Sequence, residues 1–309
     1  MITYLINGNS GLIPNEKWIP NCWVNTIAPS EADKNYLIKN LGIPESFYND
    51  IEDVDERPRI EIEDGWYLII IRVPIRTSDE SIPFSTIPIG IIFKNDIFLT
   101  ISFHEVEMIP DFINYSHRKS IHKKENFDLV LKLLLSSSVW FLKYLKQINQ
   151  KIKLAEKQLE KSIRNEDLQT LMKIEKCMVY FTTSLKGNDI LIHKIKNLKE
   201  HKDSLETELI EDVEIELRQA LETTNIYSDI LSGMMDAYAS VISNNLNVIM
   251  KLLTSISILL MIPTLIASFY GMNTPNTLEN NPYGFWIVLS ISFIISSIGL
   301  IIFRKKNWI

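Results

Sequence analysis

LLTSISILLMIPTLIASFYG, residues 252–271, is a run of twenty residues without a charge, and FWIVLSISFIISSIGLIIF, residues 285–303, adds nineteen more. Because an α-helix rises about 1.5 Å per residue, roughly 20 residues cross a hydrocarbon core of about 30 Å. The alternative is a pair of buried helices in a soluble protein, but such helices are usually shorter and keep a polar stripe. The two segments therefore predict a C-terminal transmembrane hairpin.

The charges that flank the hairpin predict its orientation. Lys251 precedes the first segment, and Arg304, Lys305 and Lys306 follow the second, whereas the intervening TPNTLENNPY has no Lys or Arg. The positive-inside rule places the basic ends in the cytoplasm and the short loop outside. The N-terminal MITYLINGNSGLIP lacks the pattern of a cleavable signal peptide. We therefore expect a protein of the inner or plasma membrane that crosses the lipid bilayer twice, with both termini cytoplasmic.

The rest of the chain has a different composition. The whole sequence carries 32 Lys and Arg against 38 Asp and Glu. Residues 249–309 hold four of these cations and one of the acids, which leaves 28 cations, 37 acids and a net charge of -9 for residues 1–248. This acidic balance argues against a nucleic-acid-binding protein. Two cysteines are too few for a disulfide framework.

Residues 1–120 have a mixed pattern that is typical of an α/β domain. Ser30 and Asp33 form a capping box, which predicts a helix that ends at Gly42. The Asp64-Gly65 pair is a strong hairpin signal. Six strands are predicted by alternation or by apolar runs, at residues 2–6, 22–27, 59–63, 66–75, 87–93 and 97–103. We expect a sheet of five or six strands.

From Glu125 onward the sequence becomes helical. Helices are predicted over residues 125–163 and about 167–200, the second irregular near Gly187, and a third begins near Ser204. If the third helix is continuous over residues 204–270, it has 67 residues and a length of about 100 Å. One small domain cannot stabilise such a helix, so we expect it to pack against copies of itself in an oligomer.

The predicted fold is thus an α/β cytosolic domain followed by long helices and a C-terminal two-helix transmembrane hairpin. Its parts are a cytosolic α/β domain, a helical hairpin, a stalk helix, a first transmembrane helix, an extracytoplasmic loop, a second transmembrane helix and a basic tail, at residues 1–120, 121–203, 204–248, 249–271, 272–284, 285–303 and 304–309.

Motifs of enzymes are missing from the sequence. It contains no HExxH, no GxxxxGK[ST], no GxSxG and no GxGxxG. Its five histidines are scattered, and each is more typical of a surface or core position than of metal ligation or acid–base work. We therefore expect a protein that is not an enzyme.

The first transmembrane segment carries a polar stripe. Its members follow one another at steps of 3, 3, 4, 4, 3 and 4 and therefore share one helix face: Asn247, Met250, Leu253, Ser257, Met261, Thr264 and Ser268. One interpretation is a seam between helices, where small and hydroxylated residues permit close approach. The other is a pore lining with polar rungs and apolar constrictions. The spacing alone does not separate the two.

The end of this segment distinguishes them. Gly271, Met272 and Asn273 follow the first span directly, and a second span with a basic tail ending near Trp308 comes after. In this setting the Gly-Met-Asn motif resembles the CorA family of magnesium channels. The similarity also includes further residues upstream, at Ser232, Gly233, Asp236, Tyr238, Ser243, Asn244, Asn247, Met250, Lys251, Leu253, Thr254, Met261, Thr264 and Tyr270. It covers the C-terminal third by motif, and the order of α/β domain and helices matches the family's plan.

The resemblance implies a homopentameric funnel with a selectivity filter at Gly271, Met272 and Asn273. Magnesium demands octahedral oxygen ligands and loses its water reluctantly, so a ring of neutral oxygens can recognise the hydrated ion. Backbone carbonyls near Gly271 and the Asn273 amide would supply that ring. The simpler interpretation is that Gly271 ends the helix and Asn273 caps it, and the two roles are compatible.

The stalk carries an acidic run between Glu206 and Glu216, which by itself is typical of a solvated face. In the CorA family, intracellular magnesium binds between adjacent subunits and holds the pore shut. The resemblance places the regulatory aspartate at Asp212, and Asp79 and Glu80 are the candidate partners from a neighbouring subunit. The family's nearby stalk histidine falls on Glu216, a departure that leaves the second regulatory position open.

The expected function is therefore a magnesium channel that is driven by membrane potential, with Mg²⁺ both transported and regulatory. A protein of the same fold that moves Co²⁺, Ni²⁺ or Zn²⁺ is the first alternative. The zinc-transporting branch usually varies the middle residue of the motif, so Met272 favours magnesium. The alternative from another class is a membrane-anchored scaffold or sensor. A membrane anchor requires neither the polar stripe nor the uncharged Gly-Met-Asn motif at the end of the first segment.

Overall fold

The computed structural model describes residues 1–77, 82–161, 165–198, 207–272 and 281–308. In its α/β part, seven strands form one sheet with the order β2-β1-β3-β7-β6-β5-β4. Every neighbouring pair is antiparallel except β3 with β7, which is parallel. The strands are β1 Ile2–Gly8, β2 Gly11–Asn15, β3 Trp23–Ile27, β4 Arg59–Glu63, β5 Trp66–Arg76, β6 Phe84–Lys94 and β7 Ile97–Ser102.

The prediction of five or six strands is wrong, because the sequence pattern missed β2. This strand is short and contains Pro14, which cannot donate a ladder hydrogen bond. It is tolerated because β2 lies at the edge of the sheet and pairs only with β1. The predicted hairpin is confirmed: β4 and β5 turn at Asp64 and Gly65, whose φ angles are 49° and 77°.

The sheet is covered by helices on both faces. One face packs against the π-helical turn Tyr36–Asn40, which continues α1 Glu31–Asn35, and against α2 Glu45–Glu52. The predicted capping box is confirmed, because Asp33 N donates to Ser30 Oγ at 3.2 Å and Ser30 N donates to Asp33 Oδ2 at 3.0 Å. The helical turns end at Asn40, and Gly42 follows with a φ of +71°.

The other face of the sheet packs against two long helices. These are α4 Asn126–Lys161 and α5 Asn165–Lys196, and α3 Met108–Lys119 packs against β2 and α4. Because both faces are covered, Ile69, Ile71 and Ile91 are fully buried and β5 and β6 read as nearly continuous apolar runs.

The predicted irregularity of the second long helix is wrong. α5 runs through Gly187 without interruption. The glycine instead permits a close approach to the loop before β4, since a Cβ at Gly187 would lie 2.7 Å from Pro58 Cγ. Phe141 and Phe181 pack α4 on α5 with an edge-to-face contact at 5.0 Å between ring centroids.

The third long helix is α6, Thr207–Tyr270, which has 64 residues and contains Pro263. The last helix is α7, Gly284–Lys305. The chain divides into two compact units, Met1–Gly233 and Met234–Ile309. The first unit holds the sheet, α1 to α5 and the first part of α6, whose Ile210, Val213 and Leu217 are buried. The second unit holds the rest of α6 and α7.

Candidate ion-conduction site

The second unit contains the apolar segments. α6 and α7 are both long and apolar enough to cross a membrane, and only 6% of each apolar window is buried within the chain. A pair of core helices in a soluble protein would hide these windows from solvent. The exposed apolar surface is instead typical of helices whose surroundings are lipid or further protein.

Within this unit, α6 presents one face to α7. Ser255 is fully buried, and Leu259, Ile262 and Ile266 are half-buried. A Cβ built on Gly299 would lie 3.2 Å from Leu259 Cδ2 and 3.9 Å from Ile262 Cδ1, so the small residue lets α7 approach this face closely.

The predicted stripe lies on the other side of α6. Successive residues of an α-helix are about 100° apart, so the centre of the stripe is roughly 160° from the centre of the face that contacts α7. Met250, Leu253 and Met261 are exposed by 64%, 59% and 65%. The four polar members, Asn247, Ser257, Thr264 and Ser268, are exposed as well. The stripe is therefore free of contacts with α7 and is available to a neighbouring molecule or to water.

Two hydroxyl groups of the stripe are oriented by their own helix. Ser257 Oγ donates to Leu253 O and Thr264 Oγ1 donates to Leu260 O, both at 2.9 Å. Since the hydroxyl proton is used within the helix, the oxygen lone pairs are the groups left to interact outward. Oxygen acceptors of this kind suit the water molecules of a hydrated cation, whose protons point outward.

The predicted filter lies at the end of α6. Gly271 N donates to Ala267 O at 2.9 Å and Met272 N donates to Phe269 O at 3.4 Å, so these two residues close the last turn. Gly271 thus ends the helix, as the simpler interpretation of the motif expects, and the Met272 side chain is exposed. Asn273 lies outside the described residues, and the filter stays a prediction.

One member of the acidic run, Glu214, is paired with cationic neighbours. Glu214 accepts hydrogen bonds from Lys196 Nζ at 2.9 and 3.0 Å, and His193 Nδ1 lies 3.5 Å from it. Asp212 is exposed, whereas the neighbouring Val213 is buried. Among the described residues, no three acidic, histidine or cysteine side chains group as metal ligands. Asp79 and Glu80 lie outside the described residues, so the predicted regulatory pairing remains a prediction.

The basic tail follows the last turn of α7. Arg304 and Lys305 end the helix, and Lys306 N donates to Ile302 O at 3.0 Å. All three side chains are exposed. Trp308 stacks on Phe303 with 5.6 Å between centroids, which places an amphipathic ring next to the cations. Aromatic and basic residues at a helix end are typical of a membrane–water interface.

Comparison with known proteins supports the predicted family. A family model described as "CorA-like Mg2+ transporter protein" matches residues 20–305. The "Cobalt/magnesium transport protein CorA" of Methanocaldococcus jannaschii is 27% identical over 292 residues, covering 93% of this chain and 91% of that protein. The protein of the same name from Thermotoga maritima is 27% identical over 309 residues, covering 93% and 83% respectively.

Solved structures agree with the sequence comparison. The complete structure of the CorA magnesium transporter from Methanocaldococcus jannaschii matches with a TM-score of 0.85 and 25% identity, over 100% of this chain and 99% of that one. The predicted fold class is confirmed: an α/β domain, long helices and two C-terminal apolar helices. From its sequence match over residues 20–305 and its full-length structural match, the chain belongs to the CorA-like Mg²⁺ transporter protein family.

Proposed function

We propose that the chain assembles into a homopentameric channel that moves hydrated Mg²⁺ into the cell down the electrochemical gradient. Residues 249–271 and 285–303 would cross the cell membrane, residues 272–284 would lie outside, and both termini would be cytoplasmic. In this arrangement Arg304, Lys305 and Lys306 face the cytoplasm, as the positive-inside rule requires. The chain would act as a transporter rather than an enzyme.

The observation that carries the proposal is the position of the polar stripe on α6. It lies away from α7, it is exposed in the single chain, and the hydroxyl groups of Ser257 and Thr264 donate hydrogen bonds within the helix. A helix that only anchors the chain in lipid does not require an exposed line of Asn, Ser and Thr, because the outward oxygen acceptors would lose their hydration in hydrocarbon. Around a five-fold axis the stripe would line a water-filled path.

Ion selectivity would come from the filter, and the driving force for inward movement would come from the membrane potential. Carbonyl oxygens near Gly271 and the Asn273 amide would accept hydrogen bonds from the water shell of the ion, which Mg²⁺ gives up reluctantly. An inside-negative potential is worth about 2.3 kcal/mol per elementary charge per 100 mV, and a divalent ion gains roughly twice that. No ATP-binding motif is needed for inward movement.

Regulation would use the acidic run. Asp212 is exposed on α6, and a partner carboxylate, Asp79 or Glu80, would come from a neighbouring subunit. Mg²⁺ between the two would join the subunits and favour the closed pore. Loss of the ion at low cytosolic Mg²⁺ would shift the equilibrium toward the open state, because the ion binds the closed state more tightly.

Cobalt is the second candidate substrate. The relatives from Methanocaldococcus jannaschii and Thermotoga maritima both carry the name "Cobalt/magnesium transport protein CorA". Ni²⁺ and Zn²⁺ are further candidates on chemical grounds, because they form hydrated octahedral ions of similar charge. A membrane-anchored scaffold or sensor remains the alternative from another class.

The test is ion flux in liposomes. The full-length chain is reconstituted with a magnesium-sensitive dye inside, an inside-negative potential is imposed, and Mg²⁺, Co²⁺ or Ni²⁺ is added outside. We expect Mg²⁺ uptake by the wild type and its collapse in Asn273→Ala, while the oligomer stays assembled by size-exclusion chromatography. Asn276→Ala, in the same loop, is the matched control and should transport normally.

Two outcomes would contradict the proposal. Normal uptake by Asn273→Ala would remove the filter assignment. Absence of flux for every ion in correctly assembled wild-type protein would favour the scaffold.

A further inference from the structure

A polar cavity lies at one end of the sheet, within the first unit. Its volume is about 660 Å³, which is within the range of small-molecule sites. Segments that are distant in sequence meet there: the end of β1, the loop before β3, the turns that follow β4 and β6, and the connection from α3 to α4. The charged residues of its lining are Lys94, Lys123, Lys124 and Glu125.

Three lysines and one glutamate line the cavity, so its charge is positive. Lys94 Nζ donates to the backbone carbonyl of Asp64 at 2.7 Å and lies 5.5 Å from the centroid of the Trp66 ring. Lys123 Nζ donates to Asn21 O at 3.3 Å and lies 4.8 Å from the centroid of Phe98. Both ammonium groups thus have a neutral carbonyl and a ring face as their described partners, rather than a carboxylate.

Burial of Lys123 makes its positive charge costly. Desolvation lowers the pKa of Lys123 to about 8, and the attraction of the Asp96 carboxylate offsets this only in part. An anion bound at Nζ would favour the charged form and return the pKa toward its ordinary value. The side chain is therefore in an environment that a bound anion would stabilise.

The frame around Lys123 is held in place by hydrogen bonds. Asn7 Nδ2 donates to Lys123 O at 2.9 Å, and Lys123 N donates to Asn7 Oδ1 at 2.8 Å. On the opposite wall, Asn126 Nδ2 donates to Asn95 O at 3.2 Å. These contacts join β1, the turn after β6 and the start of α4, so the lysines project from a fixed framework rather than from a free loop.

An aromatic group forms another wall. Tyr67 stacks on Phe93 with 4.9 Å between centroids and 5° between ring planes, and both rings meet the edge of Phe127. The amino terminus of α4 adds little to the positive charge of the cavity, because the Asp128 carboxylate in its first turn already occupies it. Asp128 accepts from Lys124 N at 3.4 Å and pairs with Lys132 at 2.8 Å. The positive charge of the cavity comes from its lysine side chains.

We propose that this cavity binds the phosphoryl group of a small metabolite, with Lys123 and Lys94 as its ammonium ligands and Lys124 at the rim. A phosphoryl group is an anion that suits the ammonium groups of Lys94 and Lys123, whose described partners are neutral, and lysine binds phosphate as a compact point charge. Tyr67 and Phe93 line the same cavity and give it an aromatic wall beside the ammonium groups. This site is separate from the ion path of the proposed function.

Binding is measured by calorimetry on the full-length protein in detergent, freed of Mg²⁺ by dialysis because phosphates chelate that ion. Inorganic phosphate, pyrophosphate and ATP are the probes, and sodium sulfate at equal ionic strength is the reference. We expect saturable binding of pyrophosphate with a dissociation constant below about 1 mM. Tighter binding of ATP than of pyrophosphate would identify a nucleotide as the source of the phosphoryl group. Equal binding of the two would identify a simple phosphate.

Variants test whether Lys123 binds the phosphoryl group. Lys123→Gln should weaken pyrophosphate binding roughly tenfold, because a charge-assisted hydrogen bond is lost. Lys123→Arg keeps the charge and should restore most of the affinity, which separates loss of the ligand from loss of folding. Lys119→Gln removes an exposed charge close by in sequence, at the end of α3, and should have no effect.

The proposal is overturned if no probe binds in a saturable way to folded wild-type protein. It is equally overturned if Lys119→Gln weakens binding as much as Lys123→Gln, since the attraction would then be a general effect of surface charge. Neither result affects the ion-flux assay, so this site and the proposed channel can fail separately.

Discussion

At Ser257 and Ser255, two residues apart on α6, the same side chain makes the same local bond on different faces. Ser257 Oγ donates to Leu253 O at 2.9 Å, and Ser255 Oγ donates to Lys251 O at 2.7 Å. Ser257 is exposed, whereas Ser255 is fully buried on the side of α7. The pair therefore separates the effect of facing the ion path from the effect of a hydroxyl on the helix.

We expect Ser257→Ala to lower Mg²⁺ flux and Ser255→Ala to leave it near the wild-type rate. A hydrogen bond is worth about 1 kcal/mol, which corresponds to roughly fivefold in rate when it is lost from the path of the hydrated ion. The measurement is initial uptake into liposomes, normalised to the amount of assembled protein. Equal loss in both variants would show that the hydroxyls serve the helix rather than the ion.

Asp212 is the residue on which regulation depends in the proposed function. Its side chain is exposed, in contrast to Glu214, which is held by Lys196. Asp212→Ala should reduce the protection that Mg²⁺ gives against protease and should permit current at higher internal Mg²⁺. The two changes must occur together, because one ion would cause both.

The matched control for Asp212 is Glu222→Ala, which removes an exposed carboxylate further along the same helix. This variant should keep both the protection and the inhibition of the wild type. If Asp212→Ala behaves in the same way, the acidic run is a solvated face and the feedback requires another site.

At the scale of the element, α5 has a glycine in its interior without a break. Gly187 lies where the helix meets Pro58, and an added Cβ would be 2.7 Å from Pro58 Cγ. Gly187→Ala should therefore lower the free energy of unfolding by about 1–3 kcal/mol through overpacking. The thermal melting temperature of the detergent-solubilised protein reports the change.

Gly233 provides the opposite case on α6. A Cβ at Gly233 would have no neighbour within 4 Å, and the residue is helical. Gly233→Ala should raise stability by up to about 1 kcal/mol, because alanine has the higher helix propensity. A melting temperature that falls equally for both variants would show that added bulk against Pro58 does not explain the effect at Gly187, because Gly233 has no such neighbour.

Elements with a strong local signal could be predicted from the sequence, and those held by distant contacts could not. The hairpin at Asp64 and Gly65 follows from turn chemistry, because both residues take positive φ. β2 was missed, since it is held by a distant helix: Leu12 N donates to Ser116 Oγ of α3 at 3.2 Å. No local pattern in residues 11–15 predicts that hydrogen bond.

The same distinction between local pattern and distant contact holds for the candidate site. The spacing of the seven stripe residues predicted a shared face, but the sequence could not say whether α7 covers that face. The structure answers this through Gly299, which brings α7 against Leu259 and Ile262 instead. Lys123 was given no role from the sequence, because its importance depends on Asn7, Asn21 and Phe98, which join it only in the fold.

At the scale of the whole molecule, the two ends of the chain differ in charge and surroundings. Residues 1–248 carry a net charge of -9, and residues 249–309 carry four cations and one acid. The acidic part forms a packed α/β domain with long helices, and the apolar part leaves two helices exposed. In the proposed channel, the acidic part would sense the cation in the cytoplasm and the apolar part would conduct it through the membrane.

If one face of α6 lines the path of the ion, as the proposed function requires, cysteine accessibility distinguishes that face from the face that contacts α7. Single cysteines are placed, in a background with Cys22 and Cys177 replaced by Ala, at each position of the stripe and at the control positions Leu259 and Ile262. A water-soluble thiol reagent is then applied to liposomes while Mg²⁺ uptake is recorded. We predict labelling and block of uptake at positions 247, 250, 253, 257, 261, 264 and 268, and neither at 259 nor 262. Equal labelling on all faces, or labelling of the stripe without any block, would contradict the account.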